Sequence, residues 1–326
     1  MTEPLDDVLL RVTGLKTYFF VRRGTVKAVD GVSFYLKRGE VLGIVGESAC
    51  GKSVTGLSLL RLIPDPPGKI VGGHIFLDGE DLLSKSENEM RKIRGRKITM
   101  IQQNPDSSLN PVFKIGDQVA EAITRHQKLK DQELWDKVLE ILRLVKIASP
   151  ETRMHDYPHQ MSGGMRQRVA GAIALSCQAS LLIADEPTTN LDVTTQAEYL
   201  KLLEEVQKVT GCAIIFITHD FGIVSKICTR IAVMYAGKII ETGPTLEVMQ
   251  KPSHPYTVAL LNSIPKPGSR GTQLRSIEGQ PPDPVDLPLG CPFAVRCSRA
   301  KDRCLKEFPE EAQIGENHYV SCFYAE

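Results

Sequence analysis

A layered α/β fold around a parallel sheet is what this sequence predicts, on three observations. Short, continuously apolar runs, Val41 to Val45, Leu181 to Ala184 and Ala213 to Ile217, read as strands buried on both faces. Helical patterns separate them, so the connections are expected to be right-handed crossovers between parallel strands. The first run ends in Gly46-Glu47-Ser48-Ala49-Cys50-Gly51-Lys52-Ser53, the spacing of a phosphate-binding loop that opens a helix near Lys52.

In such a loop, successive backbone N–H groups and the positive end of the helix dipole make an anion-binding concavity. Lys52 can then reach the β- and γ-phosphates and Ser53 can ligand Mg²⁺. Glycine-rich strand-to-helix turns also serve packing alone, but the flanking apolar run favours the phosphate reading.

The composition bounds the rest. A chain of 326 residues is long enough for two domains or for one with a substantial appendage. Its 42% hydrophobic and 24% charged residues are ordinary for a globular protein, and a net charge of +1 gives no footprint for nucleic acid. No run approaches the apolar length of a membrane span, and Met1-Thr2-Glu3-Pro4-Leu5-Asp6-Asp7 is acidic rather than signal-like. If the protein serves a membrane, the expectation is a peripheral role on the cytoplasmic face.

Taken in order, Val8 to Thr13 and Val32 to Leu36 read as strands, with turns at Gly24 and Gly39. Tyr18-Phe19-Phe20 between them is either core packing or a stacking surface for a purine. Thr55 to Leu62 continues the helix after the loop, until Pro64-Asp65-Pro66-Pro67-Gly68 stops it. A strand and turn follow at Gly73 to Gly79, a helix at Glu87 to Arg94, a strand at Lys97 to Gln102, and a polar loop from Gln103 to Pro111. From Ile115 to Ile147 the pattern is helical, with Leu134, Val138, Ile141, Leu142 and Val145 three and four apart. A helical subdomain of about 89–178 is therefore expected inside the core. Met161 to Met165 opens another helix, Leu181 to Ala184 leads into Asp185-Glu186-Pro187, and a helix from Gln196 to Thr210 precedes the strand that ends at Thr218-His219-Asp220. In parallel sheets chemistry collects at the carboxyl ends of strands, so the phosphate loop, Asp185-Glu186 and His219 are expected to converge. Asp185 is suited to Mg²⁺ and Glu186 to polarising a water.

The segment Ser162-Gly163-Gly164-Met165-Arg166-Gln167 resembles the signature of the ATP-binding-cassette ATPases, and it stands between the phosphate loop and Asp185-Glu186 as in that family. Gln103 matches the family's Q-loop, Thr189-Asn190-Leu191-Asp192 its D-loop and His219 its switch histidine. Further stretches, Ile63 to Gly68, Ser108 to Pro111, Tyr157 to Gln160, Pro187 to Thr189 and His254 to Thr257, are similar to the subunits that drive oligopeptide and dipeptide permeases. The resemblance covers nearly the whole chain.

It implies a P-loop NTPase domain over 1–250 and a small, irregular, cysteine-rich extension over 251–326. By resemblance Gly46, Glu47, Ser48, Ala49, Cys50, Gly51, Lys52, Ser53 and Val54 bind ATP, with Tyr18 on the adenine. Ser53, Gln103 and Asp185 hold Mg²⁺, Glu186 is the general base, and His219, Gln103 and Lys52 act on the γ-phosphate. Ser162, Gly163, Gly164 and Gln167 complete the site of an opposing cassette, with Asp192 in the D-loop. Implied partners are a paralogous ATPase subunit or a second copy, two transmembrane permease subunits and, indirectly, an extracytoplasmic peptide-binding protein. A nickel complex or a sugar is an alternative solute, and a soluble non-transport ATPase of the same family is the alternative class. Two departures stand out. Ala49-Cys50 replaces the usual Gly-Ser, and Asn190 the usual Ala. Ala49 is expected in an ordinary backbone region. Cys50, beside a helix N-terminus, is either a tolerated small residue or a thiol with thiolate character.

The eight cysteines are unevenly spread: Cys50, Cys177, Cys212 and Cys228 are scattered, whereas Cys291, Cys297, Cys304 and Cys322 crowd the proline-rich tail. Without an export signal they read as thiolate ligands before disulfides. None of the tight knuckles usual for zinc is present, and Cys291-Pro292 resembles ferredoxin-type ligation. Similar tails in the permease family are associated with a [4Fe–4S] cluster, with zinc as the alternative.

Overall fold

The strand that feeds the phosphate loop, Val41–Val45, pairs in parallel with Arg230–Tyr235, from Leu42 opposite Arg230 to Val45 opposite Val233. Every residue of Arg230–Tyr235 is buried, and apart from Arg230 at its start both runs are apolar. This is a computed structural model, describing residues 7–264 and 277–325. The acidic stretch before Asp7, and Pro265 and Pro267 of the proline-rich tail, lie outside the described residues.

The chain divides into two units, one of 10–35, 41–83 and 217–326 and the other of 1–9, 36–40 and 84–216. The first holds the phosphate loop. Its strands Val8–Val21 and Gly68–Leu77 are antiparallel, with Leu10 opposite Leu77 and Val12 opposite Ile75, and Gly24–Lys37 and Glu80–Asp81 lie on either side of that pair. Both early strands run longer than their apolar patterns predict. Tyr18, Phe19 and Phe20 therefore belong to a strand rather than to a connection.

The cysteine-bearing tail belongs to this same unit. Arg230–Tyr235 is followed by antiparallel Lys238–Pro244, against which His318–Val320 adds in turn, with Glu241 opposite Val320. The pairing is pinned beneath by a buried ion pair: Glu241, 0% exposed, accepts from the backbone N–H of Ser253 and His254 and from His318 Nε2 at 2.9 Å. Phe293, Tyr235 and Tyr256 pack together, tilted or edge to face, with ring centroids 4.5 to 5.4 Å apart. The tail thus shares the core of the strands before it.

In the second unit Ile98–Ile101 pairs in parallel with Leu181–Asp185, and Ala213–Thr218 is the next strand beyond. Between Ile101 and Leu181 the described residues form helices without a strand: Pro105–Ser108, Ile115–Thr124, Asp131–Leu144, Pro150–Arg153 and Gly163–Leu175, with a 3₁₀ turn at Pro158–Gln160. The single helical pattern read from Ile115 to Ile147 is two helices. The polar run from Arg125 to Lys130 separates them, and Glu133 accepts from the Lys130 N–H to start the second. Ile115, Val119 and Ile123 line one buried face, and Val138, Ile141, Leu142 and Val145 another, whereas Leu134 is only half-buried. Because Ile98–Ile101 is a sheet strand, the helical stretch begins later than the expected residue 89. Among the described residues no helix is long and apolar enough to cross a membrane.

Candidate functional site

Steric necessity shapes the phosphate loop. A Cβ on Gly46 would sit 2.1 Å from Met234 O, and one on Gly51, whose φ is 105°, would sit 2.1 Å from Ala28 O. Only glycine permits either approach. The helix Lys52–Leu59 starts directly after Gly51. Lys52 is 4% exposed and turns back over the loop, where Nζ donates to Gly46 O at 2.8 Å and Glu47 O at 2.9 Å. Ser48 and Ala49 are exposed at the tip, while Gly46, Cys50 and Gly51 are buried beneath. A cationic group turned over an exposed loop tip at a helix start has the charge and shape that suit a phosphate.

Of the two loop positions that depart from the family, Ala49 turns out differently from expectation and Cys50 takes the blander of its two readings. Ala49 has φ 62°, in the left-handed region rather than an ordinary one. Alternating right- and left-handed residues are what turn successive N–H groups to one side, so the nest imposes this conformation even where alanine stands in for glycine. Cys50 is turned inward and 5% exposed, and burial pushes its thiol up, away from thiolate character, outweighing the pull of Lys52.

Tyr18 keeps a half-buried ring and donates from its hydroxyl to Asp30 Oδ1 at 2.7 Å. Burial, with the hydrogen bond and charge of Asp30, pushes that hydroxyl up to about 12. Lys238 Nζ meets the same carboxylate at Oδ2, 3.0 Å away. His219 is exposed just past the end of Ala213–Thr218.

In the second unit Asp185 is buried at the end of Leu181–Asp185, and Glu186 turns off it with φ 44°. Gln103 Nε2 donates to Glu186 Oε2 at 3.0 Å, and Thr189 Oγ1 donates to the same oxygen at 2.9 Å. The Q-loop residue and the expected base are thus brought together, with Thr189 as a further partner that spacing alone did not single out. Ser162 caps the helix Gly163–Leu175, accepting from the Met165 N–H. Ser162 and Gly163 are exposed, and a Cβ on Gly163 would meet nothing within 4 Å. Gly164 is closed in by Thr195, 2.6 Å from where its Cβ would stand. Gln167, grouped with these residues by sequence, is instead buried within its own chain at 1% exposure. The face this signature offers outward is therefore Ser162 and Gly163. Asp192 caps Val193–Thr210 through the Thr194 and Thr195 N–H groups, which with the Thr195 hydroxyl hold its carboxyl below the usual range.

Cys291, Cys297, Cys304 and Cys322 line one cavity, together with His254, Phe293 and Tyr324. All four are free thiols. Burial, and the three neighbouring thiols, push Cys291 up to about 11. Four thiols around one space suit a thiolate-bound group in donor chemistry. Among the described residues, however, no three His, Cys, Asp or Glu side chains are arranged to hold a single metal ion.

Comparison with known proteins adds the family. Residues 29–189 match the profile described as ABC transporter, and residues 240–304 match that of the oligopeptide/dipeptide transporter, C-terminal region. The chain is 46% identical over 317 residues to the dipeptide transport ATP-binding protein DppD of Bacillus subtilis (strain 168), covering 97% of this chain and 95% of that one. It is 47% identical over 313 residues to the oligopeptide transport ATP-binding protein OppD of the same organism, covering 96% and 87%. The chain belongs to the ABC transporter ATPases. Among solved structures, cbiO1 from Clostridium perfringens, part of the ABC transporter complex cbiONQ, superposes with a TM-score of 0.64 at 31% identity, covering 75% of this chain and 92% of that one. As an ABC ATPase, the chain has an ATP-binding α/β cassette fold. The peptide-transporter region takes in the strand Lys238–Pro244 and three of the four tail cysteines.

Proposed function

We propose that this chain is the ATP-hydrolysing subunit of a membrane importer for dipeptides or oligopeptides, working peripherally at the cytoplasmic face. The near-full-length identity to dipeptide and oligopeptide transport ATP-binding proteins carries this reading. Under it, Lys52 and the loop amides from Ala49 to Ser53 grip the phosphates of ATP, and Tyr18 stacks on the adenine. Ser53, Gln103 and, through water, Asp185 would hold Mg²⁺, which would neutralise phosphate charge. Water attacks the γ-phosphorus, its proton passes to Glu186, the bond to the ADP oxygen breaks, and His219 contacts the departing phosphate. Positioning and charge stabilisation supply most of the catalysis in such a transfer.

The exposed Ser162 and Gly163 support a composite site, in which each signature finishes the nucleotide site of an opposing cassette, a paralogue or a second copy. A site finished only by closure couples hydrolysis to movement of two transmembrane permease subunits. An extracytoplasmic peptide-binding protein would deliver solute to them. In the tail, the four-thiol cavity supports a [4Fe–4S] cluster, with a single zinc as the competing occupant. When bound, the group supplies a covalent cross-link that orders a segment without its own core.

Two experiments test this. In membranes reconstituted with its co-purifying permease subunits and binding protein, peptides should stimulate ATP hydrolysis. Stimulation by a nickel complex or a sugar, with peptides inert, would overturn the assignment. Iron and acid-labile sulfide should be found in anaerobically purified protein, and colourless protein with one zinc would remove the cluster.

A further inference from the structure

Glu47, the second residue of the phosphate loop, is gripped at both its backbone and its side chain by the C-terminal region. Its N–H donates to the hydroxyl of Tyr256 at 2.9 Å, and Tyr256 is wholly buried. Its carboxylate takes a two-pronged ion pair from Arg296, Nη1 to Oε2 at 2.8 Å and Nη2 to Oε1 at 3.1 Å. The Arg296 side chain is 4% exposed, so this pair is largely removed from water. Its remaining donors are used as well: Nε to Glu278 O at 3.0 Å, Nη2 to Ile277 O at 3.3 Å and Nη1 to the Tyr235 hydroxyl at 3.2 Å. Tyr235 packs on Tyr256, and both pack on Phe293.

A bidentate guanidinium–carboxylate pair fixes direction as well as distance. Here it fixes a residue whose carbonyl is itself one of the two anchors of the Lys52 ammonium. The Arg296 and Tyr256 contacts therefore settle where Glu47 lies, and Glu47 helps settle where Lys52 lies. Phosphate binding by a loop depends on its amides and its lysine being held in place beforehand. Arg296 also directly precedes Cys297, whose side chain lines the four-thiol cavity.

We propose that Arg296 and Tyr256 are positioning residues for the phosphate loop, so that the C-terminal extension sets the affinity of the ATPase for nucleotide. The inference rests on the reading of Gly46 to Ser53 as the nucleotide site. Neither residue touches the phosphates in this scheme. Each acts through Glu47.

The test is binding of a fluorescent ATP analogue to the purified full-length chain, with the KM and kcat of ATP hydrolysis alongside. Arg296→Ala should weaken binding about tenfold, Tyr256→Phe should weaken it several-fold, and Arg296→Lys should recover part of the loss. KM should rise while kcat at saturating ATP changes far less, because a loop once filled is ordered by its ligand. Glu47→Gln keeps the side-chain shape while removing the charge. Combined with Arg296→Ala, it should add little to the single change, whereas fully additive losses would overturn the clamp. Lys52→Ala separates the two readings. If it abolishes binding while Arg296→Ala and Tyr256→Phe bind as the parent does, the clamp falls and the nucleotide site stands. If Lys52→Ala binds normally, both fall.

Discussion

Gln103 Nε2 and Glu186 Oε2 lie 3.0 Å apart, a side-chain hydrogen bond that joins the Q-loop to the carboxylate after the strand Leu181–Asp185. With the Thr189 hydroxyl on the same oxygen, Glu186 is held by two neutral donors. Both limit its rotation, and the left-handed backbone at Glu186 persists because its surroundings hold it.

Replacing Glu186 by Gln preserves shape and removes basicity. Turnover should fall by about 10²–10⁴-fold while ATP binding stays near that of the parent. Single-turnover phosphate release, measured beside nucleotide affinity, checks both halves. Hydrolysis at the parental rate would take Glu186 out of its role.

Ala49 holds a left-handed backbone that costs an L-residue roughly 1–2 kcal/mol. Glycine removes that strain but enlarges the unfolded ensemble by about 0.4–1 kcal/mol. The net expectation for Ala49→Gly is a gain of about 0–1.6 kcal/mol in a urea unfolding curve, with nucleotide binding retained. A loss of stability would mean that the nest does not strain Ala49.

His318 gives the tail a pH dependence. Burial alone would lower its pKa, but the hydrogen bond and charge of Glu241, with Glu247 on the other ring nitrogen, outweigh burial and raise it. A folded-state value above the unfolded one of about 6.5 means that the folded state binds the proton more tightly. The resulting stability is complete below about 6.5 and is lost as pH climbs through the raised value. Docking of the hairpin Ala312–Gly315 and His318–Val320 should therefore weaken on the alkaline side. Hydrogen exchange of the Val320 amide at increasing pH, corrected for intrinsic rates, should show falling protection in the parent. In His318→Gln the protection should be lower throughout and flatter with pH.

Much of this protein is legible one stretch at a time. The period and length of Val41 to Val45, Leu181 to Ala184 and Ala213 to Ile217 mark buried parallel strands because burial on two faces leaves no polar position. The glycines of the loop announce its turn because no other residue fits 2.1 Å from a carbonyl oxygen. The capping roles of Ser162 and Asp192 follow from residue types placed just before helical runs.

What only the tertiary structure decided lies where partners are far apart in sequence. Gln103 and Glu186 are 83 residues apart, and Glu47 and Arg296 are 249 apart. No local pattern marks a hydrogen bond across such a span, since each partner alone is an ordinary polar residue in a loop. The burial of Cys50 and of Gln167 is of the same kind, set by neighbours that override what the residue would do by itself, whereas the left-handed Ala49 is set by the loop's own turn. The sequence by itself carried the spacing of a phosphate-binding loop at Gly46 to Ser53. The packing of the C-terminal region determined that Glu47, inside that loop, is held by Tyr256 and Arg296, because the Tyr256 hydroxyl accepts from its N–H and the Arg296 guanidinium donates to its carboxylate.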